Sequence, residues 1–512
     1  MARLIQQGKL CSKISALKLG IVLVAQGIAV SACAYTYTAA PSSGDISLPG
    51  TWGGTIPVNV LRFNGPADCT ISQNVTFYGM LADWGTTKIK AANGVVVTMN
   101  DNIWTLTGNM QLTGGLYDFG GTHGFLTNDG WNDTVFSGQP TKMTFDGAVL
   151  TNLNKIILQN NGNAQPKIPV WTLTNGAGLH TEGSFQMAYY GVPADGLTLT
   201  ASGGSQLSCG RFESDGGNNN ATSLRPHVIN LSGAGTRFVS AGTDVNHIGR
   251  AYSGAEMNVS DGAELNFAAG STYLGLEARC TSNRLQVASG AVARLGSLYL
   301  GCNGGGYNAV SVLDNATMSV VDFYLGGGHA STMGNTLVVS NATVNAKRLV
   351  VLGNQGHQNT IRLSGESPRL AIDAGERQAT GNAFELQNET TLVFDVPAAG
   401  YGDGFVPITI SGTMLKDGAE EPIGTYCSDG SLSIKINGAE ECQRDMSEHN
   451  EFRRTYVLMQ TRGGISYPDS TFEAVNATLP DKSCVFVRNV KGVGNQLCLQ
   501  VKRPSGLAII FR

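Results

Sequence analysis

The sequence predicts an all-β chain wound as a parallel β-helix, a β-solenoid with coils of about 26 residues. Three observations predict it: a short phrase that returns at near-constant spacing, a strand plan repeated after each return, and a composition rich in turn formers. The phrase reads Tyr273-Leu274-Gly275, Tyr299-Leu300-Gly301, Tyr324-Leu325-Gly326 and Val351-Leu352-Gly353, with His247-Ile248-Gly249 as a weaker earlier copy. The steps between glycines are 26, 26, 25 and 27 residues. A unit of that length cannot bury a core alone, so it stacks on its neighbours.

The strand plan is legible unit by unit. After Gly326 comes a polar loop, then Asn335-Thr336-Leu337-Val338-Val339-Ser340-Asn341-Ala342-Thr343-Val344. The same plan begins at Asn308, Asn283 and Asn359 in the neighbouring units. Apolar residues alternate with polar ones (Val310 and Val312, Leu337 and Val339), which gives a strand with one buried face. Pairs such as Ser289-Gly290 and Asn341-Ala342 turn the chain into a second short strand, and the Tyr-Leu-Gly phrase supplies a third. Equivalent residues then stack at ~4.8 Å, placing Leu337 beside Val310 and Ile361. The recurrent Asn283, Asn308, Asn335 and Asn359 are expected to form an amide ladder with a structural role.

Composition points the same way. The chain has 67 glycines, 14% charged and 42% hydrophobic residues, so it is turn-rich and β-rich rather than disordered. A formal charge of −4 over 512 residues, without a basic patch, speaks against nucleic acid as a partner. No amphipathic helix longer than two turns stands out after the N-terminus.

Residues 1–34 read as a signal peptide. Arg3, Lys9, Lys13 and Lys18 precede the apolar run Leu19 to Ala32, and Ala32-Cys33-Ala34 matches a small-x-small cleavage pattern ending at Ala34. Val30-Ser31-Ala32-Cys33 also resembles a lipobox, which would leave Cys33 lipidated. Either route exports the chain, and no later apolar stretch is long enough for a transmembrane helix. Eight cysteines follow. An even number in an exported chain permits disulfides, with Cys427, Cys442, Cys484 and Cys498 the candidates. Cys484 and Cys498 flank one expected hairpin, and Cys427 and Cys442 another.

The division that follows is a leader and N-terminal cap at 35–60, a solenoid at 61–384, and a β-rich capping module at 385–512. About twelve coils would make a rod of ~60 Å. Charge rises between Met414 and Arg454, and strands are expected at Thr455–Gln460, Val485–Arg488, Leu497–Lys502 and Leu507–Phe511. All five tryptophans, Trp52, Trp84, Trp104, Trp131 and Trp171, lie early. They are expected to fill wide coils or seal the end of the stack. Sugar-stacking platforms in a groove are the alternative.

The signal peptide, the Asn-x-Leu-x-Val-Ser coil and the lack of helices resemble bacterial secreted β-helix proteins, namely autotransporter passengers and the pectin-lyase-like superfamily. The resemblance covers roughly residues 60–390 and is architectural. The chain departs from autotransporters in showing no run of barrel strands. Because that superfamily includes polysaccharide lyases and glycosidases, paired carboxylates are the feature to seek. The acidic residues Asp244, Glu264 and Asp322 do not recur at one coil position. Asp244, His247 and Arg250 place an acid, an imidazole and a guanidinium in one turn and are the catalytic candidates, though His247 also aligns with the structural tyrosine. His329 and His357 lie after recurrent glycines and lack a third metal ligand. The loops Asn128–Asp133 and Asp215–Asn218 are oxygen-rich, so Ca²⁺ is the one cofactor considered, but ordinary Asx turns explain them.

The expectation is therefore an exported solenoid, secreted or on the cell surface, with an adhesive or structural role and without catalysis. Its partners would be glycans or other surface proteins. A carbohydrate-active enzyme is the alternative. A glycan-binding module without catalysis is a third reading, and would show exposed tryptophans or tyrosines in a row.

Overall fold

The computed structural model describes residues 37–503 except 101–102, 106–108, 122–124, 128–141, 159–169, 188–195, 215–225, 251–252, 278–279, 304, 327–332, 352–357, 378–382, 387–389, 417–418, 423–424, 428–432, 466–478 and 481. It is a parallel β-solenoid. Each coil contributes strands to three columns, as the repeat predicted. The first column is a 15-stranded parallel sheet running from Ser43–Asp45 to Ser433–Asn437, a stack of ~70 Å. The second runs from Val75–Phe77 to Ile408–Lys416, and the third from Tyr37–Ala39 to Thr425–Cys427. In three consecutive coils the second and third strands fuse into one, at Val292–Leu300, Thr317–Leu325 and Thr343–Val351.

The alternating pattern sets the register. Val310 pairs with Leu337, and Leu337 with Ile361, all fully buried. The turn from first to second strand is a pair of left-handed residues: Asp261 and Gly262 (φ 54° and 77°), Ser289 and Gly290 (52° and 72°), Asp314 and Asn315 (51° and 62°). Two positive φ values in sequence make the type I′ turn, which favours Gly, Asn and Asp. The core is filled by side chains stacked coil on coil. Phe212 and Phe238 lie 5.3 Å apart, and Phe238 and Phe267 5.1 Å apart.

Trp171 is fully buried against Phe145, and the Trp52 indole donates to the Ile46 carbonyl over the first coils. Those two follow the filling-and-sealing expectation. Trp84 does not: it is 57% exposed, with its ring beside Gly65. The side chain of Trp104 and all of Trp131 lie outside the described residues.

Parallel pairing continues past residue 384. Thr391–Asp395 pairs with Ser433–Asn437, and Phe384–Leu386 with Thr425–Cys427. The change of pattern near 385 therefore marks coils widened by insertions. The chain then forms a helix, Ala439–Glu448, that the sequence reading missed. Its charge hides an apolar stripe of Ala439, Cys442 and Met446, which are the buried residues. Beyond it, Arg453–Thr461, Cys484–Val490 and Gly494–Lys502 form an antiparallel sheet. Met459 to Thr461 also pair in parallel with Ile408 to Ile410. This sheet covers an edge that would otherwise invite another strand.

The hairpin between Cys484 and Cys498 is present. The one expected between Cys427 and Cys442 is not: Thr425–Cys427 belongs to the third column, and Cys442 to the helix. Disulfides are a second correction. Cys442, Cys484 and Cys498 are free thiols; Cys484 faces Gln500, and Cys498 faces Phe486. Cys442 donates to the Pro397 carbonyl at 3.0 Å. These cysteines pack as small apolar side chains. The Cys427 side chain, Cys33, Ala34 and the expected strand Leu507–Phe511 lie outside the described residues. Among the described residues no helix is long and apolar enough to cross a membrane.

Candidate functional site

The repeated phrase builds both the inside and the outside of the third column. Its leucines (Leu274, Leu300, Leu325) point into the core and are buried. Its glycines adopt left-handed φ values of 74°, 70° and 89° at Gly275, Gly301 and Gly326. At Gly275 and Gly301 a Cβ would fall 2.6 Å from the amide of Asn308 and Asn335 respectively. The glycine of one coil thus makes room for the asparagine of the next.

Those asparagines form the expected ladder. Asn283, Asn308, Asn335 and Asn359 are fully buried. Asn283 Nδ2 donates to Asn308 Oδ1 at 3.0 Å, Asn308 Nδ2 to Asn335 Oδ1 at 3.2 Å, and Asn335 Nδ2 to Asn359 Oδ1 at 3.3 Å. Each Oδ1 also accepts the backbone N–H of the preceding asparagine, at 3.0 to 3.1 Å. Further up the column His227 takes the same post, its Nδ1 accepting from Leu197 N at 3.1 Å. Burial pushes His227 down to about 4, so it is a neutral acceptor.

The tyrosines of the phrase stand on the outer face, half-buried. Tyr273 and Tyr299 stack with centroids 4.5 Å apart and planes 9° apart; Tyr299 and Tyr324 do so at 4.7 Å and 6°. In this register the column reads Gln186, Glu213, His247, Tyr273, Tyr299, Tyr324. The stack is closed at one end by the His247 ring, 6.0 Å from Tyr273. At the other end the Arg348 guanidinium lies 5.9 Å from Tyr324 and pairs with Glu385 at 3.0 Å. Ring faces are therefore covered, and ring edges and hydroxyls face outward. Burial raises the phenols of Tyr273 and Tyr299 above their ordinary range.

Of the catalytic candidates, the structure sets His247 and Arg250 near each other and leaves Asp244 apart, exposed on its turn. The acid that meets His247 is Glu213, 3.9 Å from Nδ1 and only 3% exposed. Gln186 Nε2 donates to one Glu213 oxygen at 2.6 Å, and Arg211 pairs with the other at 2.8 Å. Burial, with Arg250 and Arg211, pushes His247 down to about 4. Arg250 lies 3.7 Å from Glu277. Sequence reasoning missed Glu213 because the column register runs 34 residues from Glu213 to His247, off the 26-residue period, across the segment 215–225.

Glu264 and Asp322 do not join this group. Glu264 sits in the second column between Arg237 and Arg294. Asp322 sits in the third, between Ser297 and Arg348. Asp244, Glu264 and Asp322 therefore form no facing pair. His329, His357 and the loops Asn128–Asp133 and Asp215–Asn218 lie outside the described residues. Among the described residues no three His, Cys, Asp or Glu side chains gather as a metal site.

Chemically, the column offers a buried charged group at one end and a row of phenol edges, one per coil, at the other. No protein-family model matches the chain, and comparisons with curated proteins and with solved structures return no significant match.

Proposed function

We propose that this protein is an exported, surface-exposed or secreted solenoid of the autotransporter-passenger-like or pectin-lyase-like type, with an adhesive or structural role and without catalysis. The observation that carries the reading is the row Tyr273, Tyr299 and Tyr324. It sets hydroxyls at one coil spacing on a rigid face, suited to hydrogen-bonding an extended glycan or another chain. The charged N-terminal segment, apolar run and small-residue cleavage pattern support export, by simple cleavage or as a lipoprotein.

The test is binding of the purified chain to a glycan array and to cell-surface extracts, with Tyr299→Phe as the variant. That change keeps the stack and removes one hydroxyl, so binding through this face should weaken while the unfolding midpoint holds. Binding that ignores the substitution refutes the assignment of this face. A second reading, a carbohydrate-active enzyme, draws on Glu213 and His247. Both Glu213 oxygens are engaged by neighbouring side chains, which suits a structural ion pair better than an acid poised for substrate. Polysaccharide turnover abolished by Glu213→Gln would establish that reading instead.

A further inference from the structure

The antiparallel end sheet holds a pocket of about 670 Å³ lined by Glu451, Phe452, Arg453, Lys482, Lys502 and Arg503. We propose that this pocket binds the acidic groups, carboxylate or sulfate, of an anionic saccharide. Four of the six lining residues, Arg453, Lys482, Lys502 and Arg503, carry cationic side chains in a chain whose formal charge is −4. Glu451, the one carboxylate in the lining, is taken up by a residue outside it. Arg454 holds both oxygens of Glu451, and reaches Asp445 at 2.6 Å as well. Among the described residues no carboxylate pairs with Arg453, Lys502 or Arg503.

One feature marks the cluster as one that a bound anion would relieve. Arg453 and Lys502 are directly opposed across the antiparallel pair Arg453–Thr461 and Gly494–Lys502. Like charges so placed destabilise a sheet. Phe452, 75% exposed at the rim, adds an open ring face. A ring beside several cations matches a sugar bearing acidic groups: the ring covers C–H faces, and the cations take the carboxylate or sulfate. The volume suits a short oligosaccharide. This proposal does not rest on the tyrosine column, which lies on a different part of the molecule.

The experiment titrates the full chain at low salt with four probes: a hyaluronan oligosaccharide, a heparin oligosaccharide, a neutral glucan and single-stranded DNA. The variants are Arg453→Gln with Arg503→Gln, Phe452→Ser, and Lys88→Gln with Lys90→Gln as an exposed control on the first column. Relieving the Arg453–Lys502 opposition leaves the fold intact, which the thermal midpoint checks. Binding of hyaluronan or heparin, weakened about tenfold or more by the double Arg variant and several-fold by Phe452→Ser, supports the proposal. Preference between the two separates carboxylate from sulfate. The proposal is overturned if neither saccharide binds, if the Lys88 and Lys90 control weakens binding equally, or if DNA binds as tightly without regard to Phe452.

Discussion

Replacing Asn308 with alanine tests whether the amide ladder holds the coils in register. Asn308 Oδ1 accepts from Asn283 N and Asn283 Nδ2, both at 3.0 Å, and its Nδ2 donates to Asn335 Oδ1 at 3.2 Å and Cys280 O at 3.4 Å. Alanine leaves the Asn283 N–H and one Asn283 amide donor without their acceptor. The site is fully buried, so bulk water does not replace the oxygen. Each stranded buried donor costs about 1–3 kcal/mol. With the small void added, the loss is about 4 kcal/mol. Denaturant unfolding followed by circular dichroism measures it, and hydrogen exchange at the Asn283 amide locates it, since a solenoid need not unfold in one step. Asn341→Ala is the control. Asn341 Oδ1 accepts from Glu366 N and Ser367 N on an exposed turn, where water substitutes. If Asn308→Ala costs under about 1 kcal/mol, or no more than Asn341→Ala, the ladder argument is refuted.

Three further outcomes are expected. Gly301→Ala meets both a left-handed φ and an asparagine amide 2.6 Å from the new Cβ, so it should cost about 2 kcal/mol or more. Gly262→Ala, with the same sign of φ and nothing nearer than 3.7 Å, should cost about half as much by the same unfolding measurement. The buried His227 and His247, both pushed down to about 4, bind fewer protons folded than unfolded between pH ~6.5 and ~4. Stability should therefore be full above that window and fall as pH drops through it, by up to about 3 kcal/mol for each histidine. His227→Asn, which keeps an acceptor in the column, should flatten that fall, and an unchanged pH profile counts against the assignment. Finally, burial raises Cys69 and Cys302 to about 11 and Cys209 to about 12. Thiol reagents should label these cysteines slowly until denaturant is added, and reductant should leave the melting temperature unchanged.

The solenoid was legible because its physics is repetitive: equivalent positions meet the same surroundings every coil, so Gly275, Gly301 and Gly326 recur with their asparagines. The ladder followed from that recurrence alone. Glu213 was not legible because an insertion shifts its coil out of period, and only strand pairing shows that it faces His247. The helix Ala439–Glu448 was hidden by its own charge, since three buried residues in ten leave a weak stripe. Another device went unread for a different reason. Gly183, Gly210, Gly242, Gly270 and Gly296 each stand where a Cβ would strike a backbone carbonyl of the coil before, but glycine is too common in this chain for that column to stand out.

The covering sheet at the C-terminal end and the one-coil-to-the-next pairing also settle how the rod yields to force. Tension between its ends opens hydrogen bonds strand by strand, like a zip, because each coil is held only by its neighbours. A 26-residue coil occupies ~5 Å along the axis but releases up to ~90 Å of chain when peeled away. A solenoid built this way is expected to lengthen in discrete steps under load, with the intact coil below left as the template on which the next would rewind.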